Sequence, residues 1–263
     1  MKHYLLTLCI LFAAGMSLNS QDITINPGGE KNWFLHLESG IMYPSGTIKD
    51  NIAIRQNISS YYVNQSSDGE ISSETAGFNL GLKCEYFLPR FNTGVSAGLR
   101  YTGYNSDISG YSASNADFFY LRYSMMSSDT KFARVINITE TNNFISIPLE
   151  IRVVPIHYMD FGLFFKAGAE FSRFNIKKKT NINFQDESME EYEDDILENI
   201  TLPTNKNYST LYGSIGVQYG MPNKTNYLFE IFLPSYYLSD NNFALTNVDY
   251  FQGFKFSVQI PLN

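Results

Sequence analysis

The sequence predicts an all-β fold, an eight-stranded antiparallel up-and-down transmembrane β-barrel with long external loops. Three observations carry that prediction. Eight segments alternate apolar with polar residues, the N-terminus has the form of an export signal, and the long connections all fall at one end of the strands.

The clearest alternation is NFISIPLEIRVVP, residues 143–155. Ile145, Ile147, Leu149, Ile151 and Val153 share one track, and Ser146, Pro148, Glu150 and Arg152 share the other. Such alternation makes a strand with two chemically different faces. A soluble sandwich would turn the aliphatics inward, whereas a membrane barrel would turn them to lipid and the charges to its interior. Seven further segments repeat the pattern: 32–43, 77–88, 93–104, 161–171, 209–220, 227–233 and 253–262. Most match the roughly 9–11 residues that a tilted strand needs to cross hydrocarbon.

The connections decide which face meets lipid. Long polar stretches (44–76, 105–142 and 172–208) follow the first, third and fifth segments. Short turns (89–92, 155–160 and 221–226) follow the second, fourth and sixth, and the connection 234–252 is intermediate. Short turns on one side and long loops on the other are the outer-membrane arrangement. Tyr43, Phe78, Tyr86, Tyr101, Phe171, Tyr219 and Tyr227 fall near the ends of the apolar tracks, where interfacial aromatic girdles belong. Ile145 to Val153 are therefore expected to face lipid.

The N-terminus reads as a secretory signal over 1–20: Lys2 is followed by a short apolar core from Leu5 to Ala14, with small residues before Gln21. That core is far shorter than the roughly 20 residues of a spanning helix. A periplasmic segment (21–31) and a barrel domain (32–263) would follow. Cys84 is then the sole mature cysteine, which excludes an intrachain disulfide. The heavy aromatic content, 19 Tyr and 21 Phe, suits strands.

The strand FISIPLEIRVV resembles the "YLEIPLLLKY"-like strand of the outer-membrane β-barrel family common in Bacteroidetes. LFFKAGAEF, SIGVQYG and the closing GFKFSVQIPL are similar to later strands of that family. The resemblance spans the mature chain and implies a small porin-like or OmpA-like barrel in the cell outer membrane. One departure is the C-terminus, which is Asn263 rather than an aromatic residue.

On this register ten charges point inward: Glu38, Lys83, Glu85, Arg100, Glu150, Arg152, Lys166, Glu170, Glu230 and Lys255. An eight-stranded interior is just wide enough for side chains to fill. The charges are expected to pair across strands, helped by inward Phe34, Phe87, Phe164, Tyr212 and Phe232, giving a closed filling rather than an ion path. The function expected is that of a scaffold whose external loops bind or support other molecules. The alternatives are an outer-membrane enzyme with a rim site, or a narrow pore. Neither mature histidine, His36 or His157, falls in a long external loop, so no catalytic set is expected.

QDESMEEYEDDILEN, residues 185–199, holds eight acids but lacks the spacing of a calcium loop, and it reads as a solvated acidic face. Lys177, Lys178 and Lys179 precede it at the external rim, where they could pair with lipopolysaccharide or with those acids. No cofactor or metal is expected. The expected partners are outer-membrane lipid, lipopolysaccharide and an external ligand that the sequence does not identify. The net charge of -7 argues against nucleic acid. The aromatic loop stretches around Tyr61 and Tyr62, and from Tyr111 to Met126, suit recognition or strand extension equally. The protein is expected to be a monomer.

Overall fold

The computed structural model describes residues 32–49, 54–55, 71–110, 118–126, 129–201, 204, 207–221, 224–239 and 243–262. The expected signal (1–20), the segment 21–31, Tyr61, Tyr62 and residues 111–117 lie outside the described residues. Among the described residues ten strands run in chain order: β1 (Trp33–Ile48), β2 (Ile54–Arg55), β3 (Ile71–Leu88), β4 (Thr93–Gly110), β5 (Phe119–Met126), β6 (Asp129–Tyr158), β7 (Phe161–Phe184), β8 (Tyr208–Tyr219), β9 (Asn226–Tyr237) and β10 (Thr246–Pro261). A 3-10 turn (Glu187–Tyr192) and an α-helix, α1 (Glu193–Ile200), lie between β7 and β8.

Eight strands close a ring. β1, β3, β4, β6, β7, β8, β9 and β10 pair in that order, all antiparallel, and β10 returns to β1 with Leu35 opposite Ile260. Closure leaves no unpaired edge where the strands cross lipid, which a membrane demands of a sheet. β5 stands outside the ring, pairing with the outer part of β6 and with β2.

The short turns explain how neighbours become antiparallel. Pro89 opens a 3-10 turn that ends in left-handed Asn92 at φ 48°. Gly220 turns the chain at φ 143°, and a Cβ there would lie 2.1 Å from the Asn226 side-chain oxygen.

Within the belt, side chains alternate outward-apolar and inward-polar. Ile147 is 50% exposed and Leu99 59%, whereas their neighbours Ser146 and Arg100 are buried. From Trp33 to Tyr43 the outward track of β1 climbs ten residues. That is about 34 Å along the strand, or about 26 Å of height at a tilt of about 40°. The apolar band of an outer-membrane barrel is about 25 Å tall. Aromatic pairs mark the short-turn rim, with Trp33 and Tyr86 at 4.9 Å and Phe161 and Tyr219 at 5.1 Å.

Two expectations need correction. Val153 does not face lipid: a bulge between Val153 and Ile156 breaks the alternation, and both Val153 and Val154 are buried. Much of the expected external loop 105–142 is strand, since β4 continues to Gly110 and β6 begins at Asp129, and the expected loop 172–208 is strand as far as Phe184. The reason lies in an inversion of polarity. Above the belt the outward residues of β4 and β6 become Asn105, Asp107, Asn137, Thr139 and Thr141, while Ile108 and Ile138 turn inward and are fully buried. The same strands thus behave as a membrane sheet below and as a soluble sheet above.

Candidate functional site: the filled interior and its outer cap

The even-numbered track of β6 positions the centre of the barrel. Glu150 reaches Arg100 at 2.8 Å, Lys166 at 3.4 Å and Lys255 at 3.4 Å, is ion-paired with Lys83, and accepts from the Tyr212 hydroxyl at 2.6 Å. Glu38 lies 2.6 Å from Lys83, 2.7 Å from Arg100 Nε and 3.3 Å from Lys255. Glu230 takes Lys166 and Lys255, each at 2.9 Å, and the Ser214 hydroxyl at 2.7 Å. Arg100 also donates to Glu170 at 2.5 Å, and Ser146 donates to the other oxygen of that carboxylate.

Toward the short-turn end, Arg152 grips Glu85 with two donors at 2.5 and 3.1 Å and gives a third to Gln218 at 2.6 Å. His36 stands 3.2 Å from Glu85, and Gln259 donates to the same carboxylate at 3.1 Å. The Arg152 guanidinium also lies over the Phe87 and Phe164 rings, both at 5.7 Å. All ten charges named from the sequence are therefore buried in two connected groups. Buried ions need such multiple partners, because removing a partner strands an uncompensated charge.

Space for this filling comes from small inward residues. Gly81 sits opposite Glu38, and a Cβ there would lie 2.5 Å from the carboxylate. Gly168 sits opposite Tyr212, and a Cβ would lie 2.7 Å from its ring.

Above the charges comes an aromatic layer of Tyr104, Phe144, Tyr208, Tyr237, Phe243 and Phe251. Phe144 and Tyr208 have ring centroids 4.0 Å apart, and the Tyr104 and Tyr208 hydroxyls share a hydrogen bond of 3.1 Å. The segment before β10 folds over this layer. Glu140 accepts from the backbone N–H groups of Ala244 at 2.6 Å, Leu245 at 3.1 Å and Thr246 at 3.1 Å, and from the Thr246 hydroxyl at 3.0 Å. Lys49 donates to the Phe243 carbonyl at 2.6 Å. Glu140 was missed in the sequence, although it continues the even-numbered track of Glu150 and Arg152; the signal was hidden by reading residues 105–142 as loop.

Over the cap lies a second apolar core that includes Ile108, Leu121, Val135, Ile138, Ile182 and Ile196. Helix α1 forms from the acidic run, because Ile196 and Ile200 fall four apart on one buried face. Glu193, Asp194 and Asp195 occupy its first turn, where carboxylates favour the helix dipole. Glu187, Glu190, Glu191 and Glu198 stay exposed. The Ser188 hydroxyl and backbone N–H hold the Asp186 carboxyl below its ordinary range. Among the described residues, no three His, Cys, Asp or Glu side chains gather as metal ligands would. An open groove of about 650 Å³ lies at the outer end, lined by Phe132, Ala133, Arg134, Gln185, Asp186, Glu187 and Met189.

No family model matches the chain, and no curated protein matches its sequence. Among solved structures, the outer membrane protein OprG from Pseudomonas aeruginosa aligns over 89% of this chain and 99% of its own, at 10% identity and a TM-score of 0.41. The transport unit of the autotransporter AIDA-I from Escherichia coli aligns over 95% of this chain and 97% of its own, at 8% identity and 0.31. The translocator domain of autotransporter NalP from Neisseria meningitidis aligns over 97% of each chain, at 9% identity and 0.27. The architecture stands on the closed strand ring and the apolar belt: the chain is an antiparallel eight-stranded transmembrane barrel.

Proposed function

We propose that this protein is a closed outer-membrane scaffold whose external end carries its binding function. The observation that carries the reading is the filled lumen, in which Arg152–Glu85, the Glu150 cluster, the aromatic layer and the Glu140-held cap follow one another along the axis. An ion crossing it would have to separate several buried pairs, each with a desolvation penalty of several kcal/mol per ion. A transmembrane barrel of antiparallel strands with its long connections on one side belongs in the outer membrane. The external sheet, the groove beside Arg134 and the exposed face of α1 are the surfaces available to an external ligand.

Catalysis is not part of this reading. His36 is locked against Glu85 inside the barrel, and His157 lies at the short-turn end of β6.

Planar-bilayer recording tests the proposal. The folded chain is expected to show no steady channel, and replacing Glu150, Arg100 and Lys83 together with alanine is expected to introduce conductance. Steady, ion-selective current through the unaltered protein would refute the closed scaffold and establish the narrow pore instead.

A further inference from the structure

The outward face of β7 changes character abruptly above the belt. Phe171 is still ordinary lipid-facing surface, but two bulges follow, between the pairs Ser146/Ser172 and Ile145/Phe174 and again between Phe144/Asn175 and Asn143/Lys177. They leave Arg173, Phe174, Ile176, Lys177 and Lys179 all exposed on one short stretch. Phe174 is 72% and Ile176 57% exposed, the former well above the usual value for the belt. None of Arg173, Lys177 and Lys179 is ion-paired with a described residue.

The surroundings keep that charge available. Lys177 pairs in register with Asn143 and Lys179 with Thr141, and the Thr141 hydroxyl donates to Asn105 at 3.0 Å. These neighbours are neutral hydrogen-bonding groups. The carboxylate of the neighbouring outward track, Asp107, is occupied by Asn137 at 2.8 Å and Thr139 at 3.2 Å. Three other exposed cations lie elsewhere: Arg90 and Lys224 at the short-turn end, and Arg134 beside the outer groove.

We propose that Arg173, Lys177 and Lys179 bind the phosphate groups of a phosphorylated glycolipid in the outer leaflet, with its acyl chains lying on Phe171, Phe174 and Ile176. The proposal rests on the membrane placement argued above. Cations at the boundary of hydrocarbon and headgroup attract anionic lipid, and the long arginine and lysine stems reach outward from apolar surface. The amide and hydroxyl ledge of Asn143, Thr141 and Asn105 suits sugar hydroxyls. A simpler role for the lysines is to guard an open edge, since β7 has no β8 partner beyond Ser172. Edge protection, however, gives no reason for the adjacent exposed Phe174 and Ile176.

Charge reversal separates the two roles. The full chain and an R173E/K177E/K179E variant are folded into phosphatidylcholine vesicles, with heat-modifiable gel migration confirming insertion of each. Binding of fluorescent bisphosphorylated lipid A is then measured against its dephosphorylated form, phosphatidylglycerol and inorganic phosphate. The unaltered chain is expected to prefer bisphosphorylated lipid A, and the variant to bind it at least about tenfold more weakly while remaining inserted and unaggregated. Reversing Arg90 and Lys224 instead is expected to change nothing. Equal binding by the triple variant would overturn the site, as would equally effective competition by phosphatidylglycerol or inorganic phosphate. Failure of the unaltered chain to insert would overturn the membrane placement itself.

Discussion

Ile147 and Glu150 show how far two neighbouring residues can differ in what they demand. Ile147 is half exposed on the outward track of β6, and Glu150 is buried among Lys83, Arg100, Lys166 and Lys255 on the inward one. Ile147→Arg is expected to cost about 2–4 kcal/mol, the range for a cation at mid-bilayer depth. Glu150→Gln keeps the shape but leaves four cations short of a charge, and is expected to cost about 3–5 kcal/mol. Denaturant titration in lipid vesicles measures both. Spin labels provide a second check: position 147 should be accessible to a lipid-soluble quencher and position 150 protected. The reverse result would invert every face assigned on this strand.

At the scale of elements, the cap before β10 gathers its N–H groups on a single acceptor. Glu140 holds three consecutive backbone N–H groups and one hydroxyl, all buried. Glu140→Ala would leave those donors without it, and each buried unsatisfied donor costs about 1–3 kcal/mol. Hydrogen exchange at Ala244, Leu245 and Thr246 is expected to accelerate strongly in that variant. Exchange in the belt portions of β3 and β4 should stay unchanged, because their ladder is independent of the cap. Uniform acceleration throughout the barrel would show instead that Glu140 supports the whole fold.

At the scale of the molecule, the two ends differ enough to fix orientation. β6 and β7 rise far beyond the belt, to Asp129 and Phe184, whereas the opposite ends close through turns such as Pro89–Asn92. A protease-cleavable tag placed after Glu191 is expected to be cut on intact cells, and one placed after Lys224 to be protected. The opposite pattern would reverse the barrel in its membrane. Both insertions fall on exposed residues, so neither should block folding.

What the sequence determined by itself was set by local periodicity. Alternation at period two named the eight ring strands, and the position of the long connections told which face meets lipid. The same parity turned Glu38, Arg100, Glu150 and their companions inward, because a strand's side chains have only two directions to choose from. Tertiary structure decided what parity cannot carry. Which acid meets which base depends on strand register around a closed ring: Glu150 gathers charges from β3, β4, β7 and β10, none adjacent to it in sequence. The bulge that buries Val153, and the paired bulges that expose Arg173 and Ile176, shift side chains by one residue, and only the pairing with neighbouring strands shows where each extra residue sits. Glu140 and the strands around it were unreadable for a related reason. Above the belt the solvent changes from lipid to water, the rule for which face is apolar inverts, and a pattern judged against one solvent reads as loop in the other.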